Sequence, residues 1–197
     1  MTTSELVKLL SESLPQHASF VCSLGRTSDE VFSHFPMQTL FIDSMGDVVP
    51  LACGISLGLP AQPIVALDTD GSHLMGLAVL PVVGALKKRL SNLLIIVLDN
   101  HLYESAGNLP SRDCQIDWSG LGTAFGVPIM AVSGENEFRA ALHSAFSTLT
   151  YIVVDIHNSD PVPAARKTID GIESRYLFIR HIERLTGLSL LRPSMKS

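Results

Sequence analysis

Ile64-Val-Ala-Leu-Asp-Thr-Asp-Gly-Ser72 decides the fold: four apolar residues, two of them β-branched, run straight into Asp68, Asp70, Gly71 and Ser72. A buried parallel strand reads as a short continuous apolar run that delivers its polar residues at its carboxyl end. In open α/β sheets that end is where ligands sit. An apolar segment of helix length, His73 to Leu86, follows at once, so the carboxylates and the Gly-Ser turn lie where a helix N-terminus can meet phosphate. A second strand-like run, Leu93-Leu-Ile-Ile-Val-Leu98, ends the same way in Asp99-Asn100. Asp70 and Asn100, thirty residues apart, are the two strand ends that the rest of the chain must explain.

Working outward, strand and helix patterns alternate. Leu6, Leu9, Leu10 and Leu14 fall at helical spacing and predict a helix over Thr3–Leu14, ended by Pro15. A strand follows over Ser19–Leu24, then a short helix from Asp29 to Phe35 with Thr27 or Ser28 as its cap. Thr39–Ile42 reads as a strand, and Asp47–Leu59 as a helix that tolerates Pro50 in its first turn. Beyond Ile64–Leu67, a helix is expected from about Leu74 to Arg89, kinked or shortened by Pro81. His101–Ile116 has no sustained period and reads as a long loop, of the kind that in compact domains is functional or mobile. Asp117–Phe125 reads as a helix, Pro128–Val132 as a strand, Ser133–Thr148 as a helix and Tyr151–Ile156 as the last strand. A polar link, Asn158 to Pro163, leads to a basic helix over about Ile169–Thr186. The expected fold is a single doubly wound α/β domain, its sheet mostly parallel with helices on both faces. Residues 1–160 form the domain, and 161–197 a C-terminal helical extension of it.

Composition excludes several classes of function. At 197 residues with 46% hydrophobic and 17% charged residues, the chain has apolar surface to bury within a covered sheet or against another subunit. A net charge of −5 argues against nucleic-acid binding, which rests on Lys and Arg meeting phosphates. Val48 to Leu67 carries no formal charge over a nearly membrane-spanning length. It contains Pro50, Pro60 and Pro63 and ends in a strand, so a helix followed by a strand is expected and no membrane partner. Cys22, Cys53 and Cys114 are odd in number and form no CxxC pattern, which predicts reduced thiols and a cytoplasmic location.

Asp70 is a hard oxygen ligand and Asn100 supplies an amide oxygen, a pair suited to Mg2+ or Ca2+. Gly71 and Ser72 can offer N–H groups to a phosphate. The residues by themselves leave open a plainer reading, in which both side chains only cap buried strands.

Asp70-Gly-Ser followed by Asp99-Asn100 resembles the motif of the thiamine-diphosphate-dependent decarboxylases, usually Gly-Asp-Gly, a spacer of about this length, and Asn. The resemblance implies that Asp70, Asn100 and the backbone carbonyl of Leu102 hold Mg2+, which grips thiamine diphosphate. Asp43-Ser-Met-Gly46 resembles the family's Gly-Ser-Met-Gly segment and makes Met45 the wedge under the bent cofactor, with Ser44 beside it. Gly25-Arg-Thr resembles the turn near the diphosphate, and Gly71 and Ser72 complete the implied cofactor set. Leu98-Asp-Asn-His-Leu-Tyr-Glu-Ser-Ala-Gly107 resembles the segment of sulfopyruvate and phosphonopyruvate decarboxylases, which implies that Tyr103, Glu104 and Ser105 face a 2-oxo acid. Thr69 and Asp43 stand where the family usually has Gly.

The implied fold is the diphosphate-binding domain alone. Family enzymes bind the cofactor between two homologous domains, the other supplying a Glu that activates it. The chain is similar to the β chain of split sulfopyruvate decarboxylases, which implies a homologous pyrimidine-binding α subunit in a heterodimer or heterotetramer. Two rival readings share the opening stretch. Asp68-Thr-Asp70 also resembles the first motif of haloacid-dehalogenase-type phosphatases, with Asp68 as nucleophile and Asp70 as acid. A regulatory, non-catalytic paralogue of the diphosphate domain is the other.

Overall fold

The computed structural model describes residues 1–157 and 166–191. The polar link over 158–163 and the last residues of the 161–197 extension lie outside them. The first half of the chain runs α1 (Thr3–Ser13), β1 (Ser19–Ser23), α2 (Arg26–His34), β2 (Thr39–Ile42), α3 (Val48–Gly58), β3 (Ile64–Thr69), α4 (Asp70–Met75) and α5 (Leu80–Leu86). The second half runs β4 (Leu93–Asp99), β5 (Leu102–Tyr103), β6 (Leu109–Pro110), α6 (Trp118–Phe125), β7 (Ile129–Ser133), α7 (Glu135–Ala141), β8 (Thr150–Asp155) and α8 (Gly171–Thr186).

Six strands form one sheet in the order β2-β1-β3-β4-β8-β7, and every neighbouring pair in it is parallel. Side chains alternate across it as a two-residue period demands. Val65 and Leu67 of β3 join Leu94, Ile96 and Leu98 of β4 in one core with Leu6, Leu10, Phe20 and Phe138. Ile64, Ala66, Leu93, Ile95 and Val97 face the other way, onto Val49, Ala52, Leu80, Val83 and Trp118. Helices therefore cover both faces, which is why β3 and β4 are apolar throughout rather than alternating.

Two expected helices are shorter than their patterns. The run from Leu74 to Arg89 is not one helix. Between α4 and α5 lie Gly76 and a 3₁₀ turn over Leu77–Val79, and a second such turn covers Lys87–Arg89. Pro81 falls in the first turn of α5, where a missing N–H breaks no bond. Gly76 is fixed by tertiary contact: a Cβ there would lie 2.3 Å from the Gly46 carbonyl oxygen. The expected Ser133–Thr148 helix stops at Ala141 and continues only as a 3₁₀ turn, and Phe146 beyond it has φ +64°.

Helix α8 closes the edge of the sheet. The buried hydroxyl of Ser174 donates to the Thr39 carbonyl (3.0 Å) and accepts from the Phe41 N–H (3.1 Å). It thus satisfies main-chain groups of β2 that no further strand pairs. Cys22, Cys53 and Cys114 are all free thiols, and among the described residues no helix is long and apolar enough to cross a membrane.

Candidate active site

The implied site residues gather at the carboxyl ends of four adjacent strands. Gly25 follows β1, Ser44 and Met45 follow β2, Asp70 to Ser72 follow β3, and Asn100 to Ser105 follow β4. Thr69 is paired with Leu98 across the β3–β4 ladder, so the next residues, Asp70 and Asp99, stand side by side. Asp70 is fully buried, as its place at the first turn of α4 requires.

Thr69 has φ −107° and ψ 154°, extended backbone that a β-branched residue adopts freely. Among the described residues the non-glycine positions with positive φ are His101, Asn108 and Phe146. Neither departure from the family's glycines, Thr69 or Asp43, is therefore a strained turn. Gly71 is required: a Cβ there would lie 2.3 Å from the Tyr103 ring. Ser72 uses its hydroxyl internally, accepting the Gly46 N–H at 3.1 Å and so tying the Met45 loop to α4. Met45 is 46% exposed. With Pro50, Met75 and Val79 it lines a cavity of about 330 Å³.

The stretch from His101 to Arg112, expected as a structureless loop, is a small hairpin. Strands β5 and β6 pair antiparallel around a 3₁₀ turn at Glu104–Ala106, and the Ser111 N–H donates to the His101 carbonyl at 2.9 Å. The hairpin brings Ser111 and Arg112 back over the strand ends. Arg112 Nη1 donates to Asp70 Oδ2 at 2.6 Å, and Ser111 Oγ donates to the same oxygen at 2.5 Å. Arg112 Nη2 reaches both Asp99 oxygens at 2.7 Å and His101 Nδ1 at 2.6 Å. A guanidinium only donates, so His101 accepts at Nδ1 and carries its proton on Nε2, which faces Asp155 Oδ1 at 3.8 Å. Trp118 Nε1 donates to Asp99 Oδ2 at 2.9 Å.

Asn100 is oriented from both ends of its amide. Its Oδ1 accepts the Leu102 N–H (3.1 Å) and its Nδ2 donates to Glu104 Oε1 (3.2 Å). Glu104 is held in turn by Arg26 Nε at 3.2 Å. Tyr103 lies over Gly71, while Ser105 and Leu102 are exposed. The Asp70 carboxyl is raised above the ordinary range by burial, against the pull of Ser111 and Arg112. Among the described residues its Oδ1 meets no donor in hydrogen-bonding geometry. A buried, under-satisfied carboxylate oxygen on Asp70, the amide oxygen of Asn100 and the main-chain carbonyl of Leu102, all following the adjacent strands β3 and β4, are hard donors of the kind a small divalent cation takes. The residues fit Mg2+. Among the described residues no cluster of three His, Cys, Asp or Glu forms a metal site, and this donor set, with one carboxylate, is of another kind.

Asp68 has other partners. It is fully buried, its Oδ1 accepts the Thr69 N–H at 2.9 Å, and its Oδ2 lies 3.8 Å from His73 Nδ1. His73 Nε2 is hydrogen-bonded to the Tyr151 hydroxyl. Burial pushes the Asp68 carboxyl up to about 6 and the His73 imidazole down to about 4. The phosphatase motif needs both carboxylates on one cation, whereas Asp68 is held beside His73 and Asp70 is held by Ser111 and Arg112. The phosphatase reading of Asp68 and Asp70 is thereby corrected.

The model of thiamine pyrophosphate enzymes for their C-terminal TPP binding domain matches residues 27–156. The chain belongs to this family. The match takes in every implied site residue except Gly25, which lies just ahead of it. Over 150 residues the chain is 32% identical to a phosphonopyruvate decarboxylase of Streptomyces viridochromogenes, covering 73% of this chain and 36% of that protein. It is 29% identical over 149 residues to sulfopyruvate decarboxylase subunit beta of Methanococcus maripaludis, covering 75% of this chain and 78% of that subunit. The chain thus spans about a third of the first relative and about four fifths of the second. The structure of the thiamine diphosphate-dependent 4-hydroxybenzoylformate decarboxylase of Rhodococcus jostii RHA1 superposes with a TM-score of 0.68 at 26% identity. That superposition covers 82% of this chain and 33% of the other. The doubly wound fold is shared with that structure.

Two residues at the centre of the site, Asp99 and Arg112, are not among those the sequence points to as site residues. The available signal was that Arg112 is the only Lys or Arg between residues 101 and 117, in a segment that follows a strand ending in a carboxylate.

Proposed function

We propose that this chain is the diphosphate-binding subunit of a split thiamine-diphosphate-dependent 2-oxo acid decarboxylase, acting on an acidic 3-substituted pyruvate such as sulfopyruvate or phosphonopyruvate. The observation that carries the reading is that Asp70 and Asn100 stand at the ends of adjacent parallel strands, within a TPP-domain fold. Bound thiamine diphosphate supplies a nucleophilic thiazolium carbon and a ring that takes up the electron pair left by departing CO2. Asp70, Asn100 and the Leu102 carbonyl would hold Mg2+. Gly25, Ser44, Met45, Gly71 and Ser72 would line the cofactor, Met45 from the rim of the cavity it shares with Met75. Glu104 fixes the amide of Asn100, so its first role is positioning. Tyr103 and Ser105 stand on the same hairpin, on the substrate side.

Likeness to a protein named as subunit beta, of which the chain covers 78%, supports a partner subunit. The activating Glu then comes from a pyrimidine-binding subunit. The test is to express the chain with such a partner, titrate thiamine diphosphate and Mg2+ calorimetrically, and measure CO2 release across a panel of 2-oxo acids. Wild type is expected to bind and turn over, and Asp70→Ala to lose both. Equal heats from wild type and Asp70→Ala would overturn the reading. Binding without CO2 release from any 2-oxo acid would favour the regulatory paralogue.

A further inference from the structure

Arg112 holds Oδ2 of Asp70, one oxygen of the carboxylate that a divalent cation needs. Its side chain is 7% exposed, and those of Asp70 and Asp99 are 0% and 8%, so the three charges are buried together and the two carboxylates need a cation to be stable there. The fork divides its work: Nη1 serves Asp70, while Nη2 serves Asp99 and His101. The network is incomplete on both sides. Among the described residues Arg112 Nε has no acceptor and Asp70 Oδ1 has no donor, whereas a purely structural buried ion pair is stable only when its remaining groups are satisfied.

We propose that Arg112 is a tethered stand-in for the metal: it neutralises Asp70 and Asp99 in the chain by itself, and a divalent cation must displace its Nη1 from Asp70 to bind. The inference rests on the cation-site reading above. Nη1 sits on Oδ2 and the donor-free oxygen is Oδ1, so a dication on Asp70 would stand close to the guanidinium across the same carboxylate, where two positive charges repel. The hairpin makes the displacement feasible. Residues 105 to 110 are exposed and β5 pairs with β6 over two residues only, and an isolated two-stranded ribbon is marginal in stability. Arg112 keeps Asp99 through Nη2 as it leaves Asp70, so the movement is a pivot and leaves Asp99 paired.

The test uses the full chain and Mn2+ as the probe, with and without thiamine diphosphate, reading free Mn2+ by electron paramagnetic resonance. Arg112→Gln is expected to bind Mn2+ about 10 to 100 times more tightly than wild type, the factor recovered when the competent form is no longer a minor one. In EDTA, Arg112→Gln is expected to melt below wild type, and Mn2+ to restore most of the loss. Trp118, the single tryptophan and a donor to Asp99, provides a second reading. Its fluorescence is expected to shift with Mn2+ in wild type and much less in Arg112→Gln. Should Arg112→Gln not fold, Arg112→Lys keeps the charge without the fork that spans both carboxylates. It is expected to bind Mn2+ several-fold more tightly than wild type. Wild-type affinity in the folded variant, with Asp70→Asn still losing the ion, would overturn the stand-in role and leave the cation site intact. Mn2+ binding by neither wild type nor variant, with or without thiamine diphosphate, would overturn both.

Discussion

Asp68, His73 and Tyr151 are three ionisable residues buried in contact behind the site, and none of them faces solvent. The raised Asp68 carboxyl favours folding in its neutral form, so its contribution is full below the ordinary 3.8 and is lost as pH rises through about 6. The lowered His73 imidazole runs the other way, contributing fully above the ordinary 6.5 and losing ground as pH falls toward about 4. In the wild type these two slopes oppose each other between pH 4 and 6.5. Asp68→Asn removes one of them. Relative to wild type it is expected to gain up to about 3 kcal/mol between pH 4 and pH 7, measured by urea unfolding at both pH values. A difference independent of pH would show that Asp68 ionises normally. Gly76 offers a second test at this scale, because its neighbour is backbone and cannot rotate away. Gly76→Ala places a methyl 2.3 Å from the Gly46 carbonyl oxygen. It is expected to cost about 1–3 kcal/mol and to shift the Met45 loop, measured by thermal melts and by weakened thiamine diphosphate binding.

At the scale of elements, the hairpin β5–β6 and helix α8 each complete something that a strand leaves unfinished. The hairpin returns Arg112 to the ends of β3 and β4, where two carboxylates stand side by side. Helix α8 closes the edge strand β2 through one hydroxyl. Ser174→Ala leaves the buried Phe41 N–H and Thr39 carbonyl without that partner. The expected cost is about 1–3 kcal/mol, measured by urea unfolding, with enhanced hydrogen exchange confined to β2 and α8. Uniform exchange across the sheet would show that α8 does not protect the edge. The alternation of strands and helices was legible because β3 and β4 are long apolar runs bounded by turn residues. The division of the Leu74–Arg89 segment was not legible, because Gly76 ends α4 by meeting Gly46, a residue thirty positions earlier. Local propensity does not see such a contact.

At the scale of the molecule, the four strand ends that carry the site open beside an apolar rim. Met45 and Met75 are 46% and 60% exposed and line the same cavity as Pro50 and Val79. Under the two-subunit reading this rim meets the partner. Met75→Glu is expected to abolish co-purification with a pyrimidine-binding subunit while changing the chain's own stability by no more than about 0.5 kcal/mol. Retained association would move the interface elsewhere. The amino-acid sequence by itself determined the doubly wound fold and its family, and it placed Asp70 and Asn100 at strand ends. Hydrophobic runs, turn residues and the spacing of polar strand ends are local in the chain and survive in a one-dimensional reading. The tertiary structure alone decided that Asp68 turns into the core, that Thr69 is relaxed in an extended conformation, and that Gly71 lies under Tyr103. It also decided that Arg112, forty-two residues from Asp70, is the cation on its carboxylate. The physical reason is the same in each case. Burial, charge pairing and close approach depend on what lies across the sheet and above it, and parallel strands bring together residues far apart in sequence.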